Sequence, residues 1–164
     1  AMLLYGFALI YAATGELSYA GIGARAALAY VENPMLMMAG SAMVLAGIGF
    51  KLSVAPFHMW TPDVYEGAPT PVTGFLATVS KSAVFVALSR FYIDGALYQF
   101  SGLNMALVFL AIASMLVGNW LALRQENIKR LLAYSSIAHF GYLLVVLIAL
   151  TYLEADLVSQ SITF

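Results

Sequence analysis

Apolar residues run along this chain in long unbroken stretches, and the short connections between them hold nearly all of its charge. The stretches have neither the polar face of a surface helix nor the period-two alternation of a half-buried strand. They predict helices buried on every side. Five can be drawn. The first runs from Ala1 to Thr14 and stops at Gly15. The second runs from Met35 through Lys51 to about Val54, where Ala55-Pro56 interrupts it. The third is Pro71 to Ile93, with Thr70 as N-cap and Pro71 at the first helical position. The fourth spans about Leu103 to Leu123, and the fifth Ile128 to about Tyr152. Leu157 to Phe164 reads as the start of a further element.

A helix rises about 1.5 Å per residue, so ~20 residues cross a ~30 Å hydrocarbon core. Four of the five stretches meet that length. The first is too short and reads as the later part of a helix. With no basic stretch before it and no small-residue cleavage site, it is not a signal peptide. Between it and the second stretch, residues 16–34 hold a small amphipathic piece stopped by Glu32-Asn33-Pro34. The fold class expected is an all-helical, polytopic transmembrane bundle of about four complete spans, the second broken near Pro56.

Composition supports the bilayer as solvent. Apolar residues make up 63% of the 164 and charged residues only 9%; mean hydropathy is +0.91, far from an ordinary soluble domain. A net charge of −1 leaves no basic footprint for nucleic acid. The chain has no cysteine, which rules out disulfides and iron–sulfur ligation by its own thiols. Arg124, Lys129 and Arg130 cluster in one connection, against Arg25 and Arg90 on the other side. The positive-inside rule places that cluster in the cytoplasm, together with the connection from Phe57 to Thr70.

Charge inside the apolar stretches is what carries chemistry. Lys81 would lie roughly 15 Å into the third stretch, near the bilayer midplane, where an ionisable group marks a functional site by default. Lys51 lies about 24 Å along a straight second helix. Pro56 changes that picture, because it cannot donate a backbone hydrogen bond and frees the Leu52 carbonyl. A helix broken at membrane depth must turn its loose polar groups to protein or water. The run Phe57-His58-Met59-Trp60 could then continue as a second half-helix before Thr61-Pro62, bringing Lys51 closer to the centre of the unit. His139 lies about 16 Å into the fifth stretch, with Ser135 one turn earlier on the same face.

Each residue has a plainer reading. Lys51 could snorkel to the interface, Lys81 could form a structural ion pair, and His139 could be a neutral, hydrogen-bonded histidine. His58 reads as interfacial, with a packing or gating role. A relay reading needs groups that exchange protons near neutral pH. Desolvation and a nearby acid act on a lysine in opposite directions, and histidine titrates there unaided. Ser80, Ser82, Ser135, Ser136 and Tyr142 could support hops between them. The missing part is an acid: all eight Asp and Glu lie in connections or at helix ends.

The run GFKLSVAPFHMWTPDVYEGAPTPVTGFLATVSK, Gly49 to Lys81, resembles the core signature of the antiporter-like membrane subunits of respiratory complex I. TPDVYEGAP followed by FLATVSK is most similar to the bacterial subunit N branch, which is related to mitochondrial subunit 2. The later run QENIKRLLAYSSIAHFGYLL, Gln125 to Leu144, fits the same branch. The resemblance covers essentially the whole chain. It implies one piece of a larger fourteen-helix domain, from the later part of the sixth helix to the tenth, in the bacterial inner membrane. It also implies roles. Lys51 matches the lysine on the broken seventh helix, Lys81 the bridging lysine on the eighth, and His139 the histidine on the tenth. The family's glutamate on the fifth helix and lysine on the twelfth fall outside this sequence.

The function expected is proton translocation in an NADH:quinone oxidoreductase, by a translocase subunit with no redox centre of its own. NADH and quinone are used by the whole complex, the chain itself binds no cofactor or metal, and its partners are the other membrane subunits and the lipid. The runner-up is a subunit of a multisubunit sodium/proton antiporter, which shares the lysine pattern. A b-type cytochrome with His58 and His139 as axial ligands needs both at similar depth, and His58 lies in a connection. Gly21-Ile22-Gly23-Ala24-Arg25-Ala26 mimics a dinucleotide fingerprint without its preceding strand or following acid, and reads as a surface turn. Nothing in the aromatic pattern points to direct quinone binding.

Overall fold

A computed structural model describes residues 1–162 of the chain, and the side chains of residues 1–153. Its elements are α1 (Met2–Thr14), α2 (Tyr19–Glu32), α3 (Pro34–Leu52), α4 (Trp60–Gly67), α5 (Thr70–Phe75), α6 (Lys81–Asp94), α7 (Ser101–Ala122) and α8 (Ile128–Ile162). A π-helical turn, Leu76–Ser80, joins α5 to α6 into one continuous span, and a short 3-10 turn, Leu97–Gln99, leads into α7. Among the described residues there is no strand. Four helices are long and apolar enough to cross a membrane: Pro34–Leu52, Thr70–Asp94, Ser101–Ala122 and Ile128–Leu153. The all-helical polytopic bundle is therefore present, with α1 as a shorter apolar companion.

Packing follows two close pairs. In membranes small residues let helix backbones approach, and both pairs use them. A Cβ on Gly6 would meet the Gly40 carbonyl at 2.9 Å, and one on Gly40 would meet Ile10 at 2.8 Å, so α1 lies tight against α3. A Cβ on Gly118 would come within 2.7 Å of the Ala138 nitrogen, and one on Gly141 within 2.9 Å of the Ala111 carbonyl, so α7 lies tight against α8. α6 bridges the pairs. Phe91 meets Phe7 edge-on at 5.4 Å and Tyr19 at 5.8 Å, while Phe85 faces Phe140 at 6.2 Å.

Several boundaries differ from the sequence reading. α3 stops at Leu52, with Ser53 in the left-handed region (φ 62°). Ser53 N donates to the Phe50 carbonyl and Val54 N to the Gly49 carbonyl, a helix terminus of the Schellman type with serine where glycine is usual. The half-helix beyond the break begins at Trp60, not Phe57, and runs through Thr61-Pro62 to Gly67. Proline is tolerated in the first turn because that N–H has no intrahelical partner. Thr70 is the first helical residue of its span, not its cap, which is Pro69. Gly21 to Ala26 lies inside α2 rather than in a turn. The fifth stretch continues as helix past Tyr152 to Ile162. Of the further element expected at Leu157 to Phe164, the part to Ile162 is α8 itself and the remainder lies outside the described residues.

Candidate functional site: a buried lysine beside a broken helix

Lys81 opens α6 directly after the π-helical turn. A π turn holds more residues than an α turn and re-aims the side chains beyond it, which is why such turns recur at functional positions. Thr78 Oγ1 donates to the Gly74 carbonyl at 2.7 Å inside this stretch. From Thr70 onward Lys81 is the first buried side chain of the span; its neighbours Val79, Ser82 and Ala83 are partly or fully exposed. At 2% exposure it is among the most deeply buried large residues described. A lysine is thus the first inward anchor of the span, ahead of Leu88, Phe91 and Tyr92 further along α6.

Three groups surround its ammonium. Nζ donates to Ser136 Oγ at 2.8 Å, and the rings of Tyr65 and Phe140 lie 5.4 and 5.5 Å away. Among the described residues no carboxylate lies within ion-pair distance of it. Burying an ammonium without a counter-ion costs several kcal/mol. A charge-assisted hydrogen bond offsets about 1.5–3 kcal/mol, and desolvated cation–π contacts about 2. The structural ion pair is therefore not formed among the described residues.

The other two sequence-selected residues sit differently. Lys51 is exposed in the last turn of α3, where the helix dipole favours a cation. It borders a cavity of about 270 Å³ shared with Phe7 of α1 and with Ala83, Val84, Ala87 and Phe91 of α6, so it lies beside the stretch of α6 that follows Lys81. His139 is exposed on α8, its ring 6.3 Å from that of Tyr142. It lies three residues from Ser136 and so on the same side of the helix. No described hydrogen bond joins Lys51, Lys81 and His139 directly.

The break is built from neighbouring elements. Ala55 N donates to Ser114 Oγ of α7 at 2.9 Å, and Ser114 Oγ donates to the Leu110 carbonyl. Phe57 N returns to the Val54 carbonyl. With Pro56 lacking a donor, neither neighbour closes on Leu52. Trp60 Nε1 reaches back to the Phe50 carbonyl at 3.1 Å, and its ring stacks on Phe50. His58 is buried, edge-on to Tyr134 of α8. Ser53 Oγ, both His58 ring nitrogens, Thr61 Oγ1 and Tyr65 OH are buried without a hydrogen-bond partner among the described residues. These four residues lie between Ser53 and Tyr65 in sequence, a polar stretch of chain whose last member has its ring against the Lys81 ammonium.

From sequence, Ser136 is only a possible support, and Tyr65, Thr61 and Ser114 do not stand out. Thr61 and Tyr65 are four apart and both buried on α4. That spacing is legible once 60–67 is taken as helix; the pairing of Ser136 with Lys81, 55 residues away, is not.

The transmembrane family described as NADH:quinone oxidoreductase/Mrp antiporter matches residues 1–162. The chain is 51% identical over 162 residues to NADH-quinone oxidoreductase subunit N of Methylococcus capsulatus, covering 99% of this chain and 32% of that protein. It thus spans about a third of that relative's length. Among solved structures it resembles a chain of respiratory complex I from Thermus thermophilus, at 44% identity and a TM-score of 0.70, covering 89% of this chain and 30% of that one. It also resembles a chain of the Mrp complex from Dietzia sp., at 25% identity and a TM-score of 0.76, covering 90% and 26%. A match that takes in every described residue, with the broken helix and the buried lysine inside it, places this chain in the NADH:quinone oxidoreductase/Mrp antiporter transmembrane family.

Proposed function

We propose that this chain is the central part of a proton-translocating membrane subunit of an NADH:quinone oxidoreductase, with Lys81 as its core titrating group. The observation that carries the reading is the Lys81 ammonium, buried mid-span on Ser136 and two aromatic rings with no carboxylate beside it among the described residues. A lysine so held can exchange a proton only through polar atoms or water, and the polar stretch from Ser53 to Tyr65 supplies such a path. Buried polar groups in native proteins are nearly always satisfied by protein or water, so that stretch fits a hydrated passage. Lys51 and His139 flank Lys81 on neighbouring elements and serve as its exchange partners, with the acid supplied by a segment outside this sequence. The redox chemistry belongs to other subunits, the chain holds no cofactor, and the connection carrying Arg124, Lys129 and Arg130 faces the cytoplasm. The likeness to the Mrp complex keeps a sodium/proton antiporter as the second reading; sodium-independent pumping by the parent complex would exclude it.

The test uses the full-length subunit in its complex. Lys81→Met keeps the bulk and removes the titrating group, so the complex assembles and its pumping falls several-fold. Lys81→Arg keeps a charge that scarcely deprotonates, and pumping falls as well. Normal pumping by Arg, together with failed assembly by Met, would make Lys81 a purely structural residue.

A further inference from the structure

At the end of the bundle, α4 and the start of α8 are tied by a dense set of polar contacts. Arg130 Nη1 meets Asp63 Oδ1 at 2.7 Å and Glu66 Oε2 at 2.9 Å, while its Nε donates to Gln125 Oε1 at 3.2 Å. Asn127 Nδ2 donates to Glu66 Oε1 at 2.9 Å. Lys129 Nζ donates to the Ala68 carbonyl at 2.9 Å and, more weakly, to that of Glu66 at 3.4 Å. One guanidinium therefore holds two carboxylates three residues apart on α4, and its neighbours secure the chain just past that helix.

The elements it ties are those that build the Lys81 site. α4 carries Tyr65, buried between the two carboxylates in sequence, whose ring lies against the Lys81 ammonium. α8 carries Ser136 and Phe140, the other two groups around that ammonium. α4 is only eight residues long and comes after a break, and helices that short gain most of their stability from tertiary contacts. Its angle, and hence the position of Tyr65, depends on what grips it at this end. Asp63 and Glu66 remain 72% and 45% exposed at their side chains; exposed pairs contribute little to stability one by one. With Nη1 on both carboxylates and Nε on Gln125, the planar guanidinium is held at two nitrogens, which fixes geometry more than it adds energy.

We propose that Arg130, with Asp63 and Glu66, is a positioning device that sets the Tyr65 side of the Lys81 site and so governs proton transfer there. The proposal rests on the reading of Lys81 as the titrating group. In the assembled complex carrying the full-length subunit, Arg130→Gln lowers protons moved per NADH oxidised at least twofold, with assembly near wild type. The double variant Asp63→Asn, Glu66→Gln lowers the ratio to a similar degree, and adding Arg130→Gln to it produces no further fall. A folding role alone would scale pumping and NADH oxidation together with the amount of complex and leave the ratio unchanged. A wild-type ratio in Arg130→Gln would overturn the proposal, as would failure of both variants to assemble, which would make the cluster a folding element. Lys81→Met measured alongside separates the two ideas: if it pumps normally, the Lys81 reading itself fails, whereas a normal ratio in Arg130→Gln beside a defective Lys81→Met sinks only the positioning device.

Discussion

Ser136 is the single side-chain hydrogen-bond partner of the Lys81 ammonium among the described residues. Removing one partner of a buried charged group exposes the full desolvation cost of the other, while the hydrogen bond's own contribution is smaller. Ser136→Ala therefore leaves Lys81 buried against two rings alone. The expected result is a loss of about 1.5–3 kcal/mol in subunit stability, read as a lowered unfolding temperature of the purified complex, with a parallel drop in pumping. Ser136→Thr keeps the hydroxyl and should recover most of both. Equal behaviour of Ala and Thr would mean that Lys81 draws its support elsewhere.

At the scale of elements, the α1–α3 and α7–α8 pairs rest on close backbone approach, with Asn119 donating to Tyr142 OH as a polar link between α7 and α8. The α7–α8 contact depends on Gly118 and Gly141, where any Cβ meets backbone within 3 Å. Backbone cannot give way as a flexible side-chain end can, so overpacking of this kind costs about 1–3 kcal/mol. Gly118→Ala should reduce the amount of assembled complex and its thermal stability. Gly67→Ala, where a Cβ meets nothing within 4 Å, should do neither. A tolerant Gly118 and a sensitive Gly67 would reverse this view of the packing. Because α8 carries Ser136 and Phe140, loosening α7 from α8 should also disturb the lysine site.

For the whole molecule, the contacts of Arg130 and Lys129 with α4 put the 124–130 connection and the segment after the break at one end of the bundle. The opposite end holds the connection around Gln99. With positive charge concentrated at the first end, the proposed orientation turns that end to the cytoplasm. In a cysteine-free full-length subunit, Asn127→Cys should react with an impermeant thiol reagent only from the cytoplasmic side. Gln99→Cys should react only from the other. Reversed labelling would overturn the orientation, and with it the direction of any proton path through Lys81.

The sequence by itself determined the class of fold, because apolar runs of bilayer length leave the backbone no option but helix. It also singled out Lys81, since a charge that far from both ends of a span has no route to water along its own helix. The break near Pro56 was legible for a similar reason: proline removes a donor wherever it stands. Only the tertiary structure decided the rest. Where the half-helix restarts depends on Trp60 reaching back to the Phe50 carbonyl and on Ser114 of α7 taking the Ala55 N–H. The π turn before Lys81 leaves no signature in an apolar run. That Lys81 is buried on Ser136 while Lys51 and His139 lie exposed is set by which helix faces meet. Facing is legible in a sequence when one side of a helix is polar, and these helices are apolar all round. Lipid and protein then look alike to the chain, and small residues at α7–α8 and α1–α3 choose the partner by shape alone.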